Sequence, residues 1–270
     1  MSKRLQDKVA IVTGGGTGLG RSIAQKFLEE GAKVVIASRS SDNLEAARRH
    51  FEAVSLIGSG NNFLTQVTDV RYPEQVEELI NTTVSKFGSL DILVNNAAGN
   101  FVVPSEKLSP NGWRTVIDIV LNGTWYCSSF AGKKMLEQGS GCILNIIATY
   151  AETGAPGVVH SASAKAGVLA MTKTLASEWG HKGIRVNALA PGVMVTPGAS
   201  KNLLFDSDQA QVAIKGNIPL RRFATLEEIA GVAVFMCSEE ASYMTGDSIT
   251  VDGGRCLEKG FMDLYQLANI

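Results

Sequence analysis

The sequence predicts one α/β domain, residues 1–270, built on a doubly wound parallel sheet with helices on both faces. Two observations lead to this prediction. Short apolar runs rich in β-branched residues alternate along the chain with longer amphipathic stretches, and no linker, repeat or low-complexity tract divides them. The apolar runs also lack a polar face, so both sides of the sheet must be covered, which is typical of Rossmann-type architecture.

Strands and helices are predicted in alternation. Each strand is a short aliphatic run bounded by Gly, Asn, Asp or Ser, and each helix repeats apolar residues every three or four positions. The predicted strands are Val9–Thr13, Lys33–Ala37, Asn62–Val67, Ile92–Asn95, Gly141–Ile147, Ile184–Leu189 and Ser248–Val251. The predicted helices are Gly18–Glu30, Ser41–Phe51, Pro73–Phe87, a long stretch around Asn111–Gln138, Val158–Trp179 and Thr225–Cys237.

The composition excludes several classes of function. With 25 basic and 26 acidic side chains, the chain has no charge excess that would predict a nucleic-acid or membrane-surface partner. No apolar run approaches the length of a membrane span. The four cysteines are far apart and lack metal-ligand spacing, so we expect free thiols and no metal. A small molecule is the expected partner.

The strand pattern begins almost at the first residue, which leaves no room for a targeting peptide. We therefore expect a cytoplasmic protein. A mature mitochondrial form, from which a presequence has been removed, stays open as an alternative.

One segment, residues 191–224, interrupts the alternation. It is rich in Pro and Gly and is too long for an ordinary connection between a strand and a helix. Because it leaves the sheet at the ligand-binding end, we expect it to be a lid over a substrate. An irregular surface excursion is the alternative.

A glycine-rich turn follows the first strand and opens the first helix. Residues 13–20 read TGGGTGLG, which has TGxxxGxG spacing and not the GxGxxG spacing of the dinucleotide fingerprint. Glycines let a backbone approach a pyrophosphate, and a helix N-terminus offers free N–H groups to the anion. We therefore expect Gly14, Thr17, Gly18 and Leu19 to bind a dinucleotide.

The end of the second strand indicates which dinucleotide is bound. NAD enzymes usually place an acidic residue there for the ribose hydroxyls, whereas this chain has Ser38 and Arg39. A guanidinium and a hydroxyl suit a 2′-phosphate, so NADP(H) is the predicted cofactor. After the third strand, Asp69 and Val70 are expected at the adenine edge, although Asp69 could equally cap the next helix.

These motifs together resemble the short-chain dehydrogenase/reductase family. TGGGTGLG, Asp69, NNAAG at 95–99, the asparagine of LNGT at 121–124, Lys165, the PG pair at 191–192 and DGG at 252–254 occur in that family's order over nearly the whole chain. The resemblance implies that Asn96, Ala97, Lys165, Pro191 and Gly192 contact the cofactor.

The chain departs from the family's usual catalytic set. Carbonyl reductases of the family carry a serine and a Tyr-x-x-x-Lys motif, in which the tyrosine exchanges a proton with the alcohol oxygen. Here Lys165 is present, but Ser161 occupies the tyrosine position and Ala148 the serine position. One branch of the family also lacks that tyrosine, the 2,4-dienoyl-CoA reductases. This chain is similar to its mitochondrial type in NNAAGNF at 95–101, YAETG at 150–154 and SASAKAGV at 161–168.

The resemblance to this branch implies a role for each residue of the site. Tyr150 and Asn100 would hydrogen-bond the thioester carbonyl of an acyl-CoA, Lys165 would bind the nicotinamide ribose, and Ser161 would support the cofactor end. Two donors aimed at one oxygen are what a developing dienolate requires. Phe101 and Phe205 are expected to contact the fatty chain, whereas His160 is expected to be a spacer.

The predicted activity is NADPH-dependent reduction of 2,4-dienoyl-CoA in β-oxidation of unsaturated fatty acids. The resemblance further implies a homotetramer. Three alternatives stay open: a trans-2-enoyl-CoA reductase, another short-chain carbonyl reductase, and a catalytically inactive NADP-binding protein.

Overall fold

A computed structural model describes residues 3–57, 62–196 and 207–257. Its centre is a parallel sheet of seven strands in the order β3-β2-β1-β4-β5-β6-β7. The strands are β1 Val9–Thr13, β2 Lys33–Ser38, β3 Phe63–Val67, β4 Ile92–Asn95, β5 Gly141–Ile146, β6 Ile184–Pro191 and β7 Ser248–Val251.

Helices cover both faces of this sheet. They are α1 Gly18–Glu29, α2 Ser41–Ala53, α3 Pro73–Phe87, α4 Pro110–Ile117, α5 Gly123–Gln138, α6 Tyr150–Thr153, α7 Val159–Trp179, α8 Asp208–Gly216 and α9 Leu226–Cys237. The doubly wound architecture predicted from the sequence is confirmed. Within the described residues, no helix is both long and apolar enough to cross a bilayer.

The sheet separates two apolar cores, and neighbouring residues of a strand point into different ones. On β1, Ala10 and Val12 pack with α1, α2 and α9, whereas Ile11 packs with α3, α5 and α7. All three side chains are fully buried. Burial on both faces explains why the strands read as continuous apolar runs in the sequence.

The predicted strands are all present, and their ends agree to within about two residues, the usual uncertainty of such boundaries. The long helix predicted around 111–138 is instead divided by a π-helical turn at Asp118–Asn122. Gly123 follows this turn, and an added Cβ there would lie 2.6 Å from Cγ2 of Val70. Close packing of helix against loop therefore accompanies the local change in helical geometry.

Part of the predicted lid has regular structure. An isolated bridge joins Met194 to Ala224, and α8 lies between them in sequence. Residues 197–206, which include the predicted substrate contact Phe205, lie outside the described residues. The lid therefore stays a prediction.

The order of strands reverses between β1 and β4. From β1 the chain winds outward through β2 and β3, then returns to β4 and winds outward in the other direction to β7. The loops that follow β1 and β4 consequently diverge, and a crevice opens at the carboxyl ends of these strands.

A buried network of polar side chains fastens the middle of the sheet to its covering helices. Asn95 on β4 donates from Nδ2 to Oδ1 of Asn145 on β5 at 2.8 Å and to Oγ of Ser128 on α5 at 2.9 Å. Asn145 in turn donates to Oγ1 of Thr172 on α7 at 2.9 Å. These four side chains are at most 4% exposed. Loss of one partner would leave a buried amide unsatisfied.

Thr172→Val should destabilise the protein, because it removes the hydroxyl that accepts from Asn145 in a site without water access. We expect a loss of about 1–3 kcal/mol in the free energy of unfolding, measured by urea denaturation. Thr174→Val is the matched control: Thr174 is on the same helix and also bonds a carbonyl four residues back, but it is exposed. It should cost less than about 0.5 kcal/mol. Equal losses in both variants would contradict a structural role for the network.

Candidate active site

The crevice at the carboxyl ends of the strands is a cleft of about 440 Å³. The loops after β1, β2, β3, β4, β5 and β6 all contribute to its walls, so residues distant in sequence meet there. Nearly all of the predicted cofactor residues line it, namely Gly14, Thr17, Gly18, Leu19, Ser38, Arg39, Asp69, Val70, Asn96, Ala97, Lys165 and Pro191. Gly192 does not; it packs against the backbone of Asp252.

The glycine-rich loop is held against the end of β4 by hydrogen bonds. Asn96 donates from Nδ2 to the carbonyls of Thr13 and Gly14, and its own N–H donates to Oγ1 of Thr13. Gly14 has φ +65°, and a Cβ at Gly20 would collide with the Gly14 carbonyl and with Nδ2 of Asn96. Only glycine fits these two positions.

The N-terminus of α1 is free to bind an anion. Thr17 is the N-cap residue, but its side chain accepts no hydrogen bond from the first turn, and that turn has no acidic residue. The first residues of the helix, Gly18, Leu19 and Gly20, line the cleft. This combination fits the pyrophosphate of a dinucleotide.

Three polar side chains form a hydrogen-bonded chain at the far end of the cleft. Asn100 Nδ2 donates to the phenol oxygen of Tyr150 at 3.3 Å, and Tyr150 shares a hydrogen bond of 3.0 Å with Oγ of Ser161. The backbone N–H of Phe101 donates to Oδ1 of Asn100 at 2.9 Å. This last bond fixes the orientation of the amide, so that its NH₂ group faces Tyr150.

Lys165 lies on α7, one turn after Ser161, and its side chain is almost entirely buried. Its ammonium donates to the carbonyl of Ile146 at the end of β5. Burial lowers the pKa of Lys165 to about 8. The lysine therefore anchors the helix to the strand end while its amine borders the cleft.

Comparisons with known proteins agree with this geometry. A family model described as enoyl-(acyl carrier protein) reductase matches residues 14–255. The chain is 46% identical over 255 residues to a Bacillus subtilis protein named as a probable 2,4-dienoyl-CoA reductase that produces the (2E)-enoyl-CoA; the alignment covers 94% of this chain and 98% of that protein.

Two solved structures are also similar. A short chain dehydrogenase from Bacillus anthracis is 47% identical with a TM-score of 0.84, and the match covers 93% of this chain and 98% of that chain. A gluconate 5-dehydrogenase from Burkholderia cenocepacia, solved in complex with NADP and tartrate, is 28% identical with a TM-score of 0.87, covering 94% and 97%.

The chain belongs to the short-chain dehydrogenase/reductase family. It is therefore an oxidoreductase, and its family supports binding of a nicotinamide dinucleotide. Tyr150 is the first residue of the short helix α6 after β5, whereas Lys165 lies on α7.

Tyr150 differs electrostatically from a tyrosine that is activated by a neighbouring lysine. Burial raises the pKa of the Tyr150 phenol, and the hydrogen bond with Ser161 offsets only part of that effect. The hydrogen bonds of Tyr150 go to Asn100 and Ser161, whereas Lys165 bonds the Ile146 carbonyl. The raised pKa favours the neutral form of the phenol.

Arg39 and Asp69 both line the cleft, and they differ in their charged partners. Asp69 is bound by Arg71, whose NH2 atom lies 2.6 Å from Oδ2 of Asp69. Burial alone would raise the pKa of Asp69, but hydrogen bonds from Arg71 and the charges of Arg71 and Arg39 hold it below its ordinary value. Arg39 is exposed, and among the described residues it has no ion-pair partner within 4.0 Å. Its guanidinium is available to an anion.

Phe101 and His160 pack together behind the hydrogen-bonded chain. Their rings are edge to face with centroids 4.4 Å apart, and Phe101 does not form part of the cleft wall. His160 is fully buried, and neither ring nitrogen has a hydrogen-bond partner. Burial lowers the pKa of His160. The role of His160 as a spacer stays a prediction.

Several cleft residues were not predicted from the sequence. They include three polar and four apolar residues, namely Asn43, Thr68, Thr196, Ile119, Ile146, Ile147 and Met194. The only signal for these residues in the sequence is their position, because most of them end a strand or follow one. Asn43 contributes from the first turn of α2, where its N–H bonds the N-cap Ser40.

The neutral state of His160 predicts a pH effect on stability. As pH falls below about 6.5, the unfolded chain takes up a proton on this imidazole while the folded chain does not, so stability decreases. His160→Leu should remove this contribution, which is bounded by about 1.4 kcal/mol per pH unit. Denaturant melts at pH 8 and pH 5.5 measure the difference between wild type and variant. His181→Gln, at an exposed position, is the control: it retains His160 and should keep the pH dependence of the wild type.

Proposed function

We propose that the protein reduces 2,4-dienoyl-CoA thioesters with NADPH, in the degradation of unsaturated fatty acids. The observation that carries the proposal is the hydrogen-bonded chain Asn100–Tyr150–Ser161 beside Lys165, with no tyrosine one turn before the lysine. The name of the Bacillus subtilis relative supports the same substrate class.

The hydride of this reaction is supplied by NADPH. The glycine cradle and the free N–H groups of α1 suit its pyrophosphate, and Arg39 with Ser38 suits its 2′-phosphate. The buried ammonium of Lys165 is the group that would bind the nicotinamide ribose and orient that end of the cofactor.

Asn100 and Tyr150 would stabilise the charge that develops on the substrate. Hydride arriving at the far carbon of a conjugated diene moves electrons toward the thioester oxygen, which becomes a dienolate. With Nδ2 of Asn100 and Oη of Tyr150 only 3.3 Å apart, one oxygen can lie within hydrogen-bond distance of both.

Ser161 would keep the phenol proton available to the substrate. Either oxygen of the Tyr150–Ser161 pair can be the donor. When Ser161 donates to Tyr150, the phenol O–H is free to point at the thioester oxygen. The final proton goes to carbon, which requires no acid at the position of the lost tyrosine.

The same geometry argues against reduction of simple ketones. That reaction needs a phenol that gives up its proton to an alkoxide, whereas burial raises the pKa of Tyr150 and Ala148 offers no hydroxyl. A neighbouring function, reduction of monoenoyl thioesters, is favoured by the description of the matching family model. NADPH oxidation with 2,4-hexadienoyl-CoA and with crotonyl-CoA separates the two, and faster turnover of crotonyl-CoA would overturn the dienoyl assignment.

Tyr150→Phe and Asn100→Ala should each lower kcat for 2,4-hexadienoyl-CoA about 100-fold, since each removes one donor worth about 3 kcal/mol in the transition state. NADPH affinity, measured by fluorescence titration, should be unchanged. Tyr243→Phe is the matched control, because Tyr243 is fully exposed at the opposite edge of the sheet. Wild-type rates in both site variants would refute the oxyanion role.

Arg39→Met should weaken NADPH binding about 10- to 100-fold, because a charge-assisted hydrogen bond to phosphate contributes roughly 1.5–3 kcal/mol. NADH binding should change little, since NADH lacks the 2′-phosphate. Arg49→Met is the control: this exposed arginine lies on α2 and pairs with Glu45. Calorimetric titration of both cofactors measures the effect, and equal weakening of NADPH and NADH would contradict the assignment.

Assembly and compartment stay predictions from the sequence. The expected homotetramer is supported by Trp113 on α4 and Trp125 on α5, which are large apolar side chains 38% and 43% exposed. Light scattering on the purified protein tests it. The cytoplasm, or the mitochondrial matrix for a processed form, is the proposed location.

A further inference from the structure

A second cavity, of about 560 Å³, lies at the opposite edge of the sheet from the cofactor cleft. It is bordered by the first residues of β4, β5 and β6, whereas the cleft is bordered by their last residues. The reaction proposed above uses none of its residues. Its wall carries two thiols and several charged groups, so the cavity has a chemistry of its own.

The two thiols belong to Cys142, the second residue of β5, and Cys237, the last residue of α9. Each residue is 6% exposed, and both line the cavity. The side chains are hydrogen-bonded to each other. Cys142 also donates to the carbonyl of Met236, with 3.7 Å between sulfur and oxygen. Cys237 is therefore the donor to the sulfur of Cys142.

Cations surround this pair. Arg185 is paired in register with Cys142 across β5 and β6, and its guanidinium donates to the carbonyls of Met236 and Ser238, on either side of Cys237. Lys8 lines the same cavity and reaches Glu239 at 3.4 Å. The acidic groups that face the cavity are Glu239 and Asp91, and Asp91 accepts from the N–H of Val9.

The surroundings give the two sulfur atoms different properties. The hydrogen bond from Cys237 lowers the pKa of Cys142 against the effect of burial, and Arg185 and Lys8 act in the same direction while Glu239 opposes them. The pKa of Cys237 is raised, because it is the donor of that bond and is buried. On this asymmetry we assign Cys142 the role of the nucleophile, with Cys237 as its hydrogen-bonded neighbour.

We propose that Cys142 and Cys237 form a redox-active dithiol that hydroperoxides entering the 560 Å³ cavity oxidise to an intramolecular disulfide. The thiolate of Cys142 attacks the O–O bond of ROOH, which gives a sulfenic acid on Cys142 and releases ROH. The thiol of Cys237 then attacks that sulfur, forms the S–S bond and releases water. Two electrons pass from the thiols to the peroxide, and the net reaction is 2 RSH + R′OOH → RSSR + R′OH + H₂O.

The other two cysteines provide internal references. Cys127 is buried, and burial raises its pKa to about 12, so it should not react. Cys256 is exposed and would react without any site, so the experiment uses the full-length protein with Cys256→Ser. Its three remaining cysteines are then Cys127, Cys142 and Cys237.

The experiment treats this protein with hydrogen peroxide at neutral pH, denatures it, alkylates the free thiols with N-ethylmaleimide and maps the peptides by mass spectrometry. We expect the alkylated thiols to fall from three to one, which is Cys127, and a peptide cross-linked between Cys142 and Cys237 that has lost two hydrogen atoms. Dithiothreitol should restore all three. This result needs no substitution of Cys142 or Cys237, so it does not depend on whether such variants fold.

Two further variants assign the roles of the sulfur atoms. Cys237→Ser should leave a sulfenic acid on Cys142 that dimedone traps, whereas Cys142→Ser should leave Cys237 unoxidised under the same treatment. Three alkylated thiols after peroxide treatment, or sulfinic acid on Cys142 with Cys237 intact and no cross-linked peptide, would overturn the proposal. Both results are independent of dienoyl-CoA turnover.

Discussion

The structure depends on the buried hydrogen bond between Asn95 and Asn145, which joins the two central strands on either side of the site. Ser128 and Thr172 extend it to α5 and α7. The Nδ2 group of Asn95 has both of its acceptors in the buried core, so a shift in register that removed either one would leave a donor unsatisfied. The loops after β4 and β5 and the helix that carries Lys165 are thereby fixed relative to one another.

This constraint also bears on the site, because the residues of the site come from separate parts of the chain. Asn100 follows β4, Tyr150 follows β5, and Ser161 and Lys165 are on α7, so none of them is close to all the others in sequence. Their hydrogen bonds of 3.0 and 3.3 Å join residues whose supporting elements are connected by the buried network. Burial raises the pKa of the Tyr150 phenol, which favours its neutral form.

Much of the fold and of the site could be predicted from the sequence, and each feature that was missed has a physical cause. The strands were predictable because burial on both faces leaves long β-branched runs, and the cofactor loop because glycine is required at Gly14 and Gly20. The π-helical turn at Asp118–Asn122 was not, because no local breaker marks it and it accompanies packing of Gly123 on Val70. The contact between Cys142 and Cys237 likewise depends on tertiary structure.

The position of Tyr150 has a consequence for how such enzymes can diverge. Lys165 lies within the long helix α7, whereas Asn100 follows β4 and Tyr150 is the first residue of the short helix α6. Substitutions around Asn100 and Tyr150 can therefore accumulate without changing the helix that carries Lys165. Chemical variation at this end of the cleft is thus compatible with an unchanged fold.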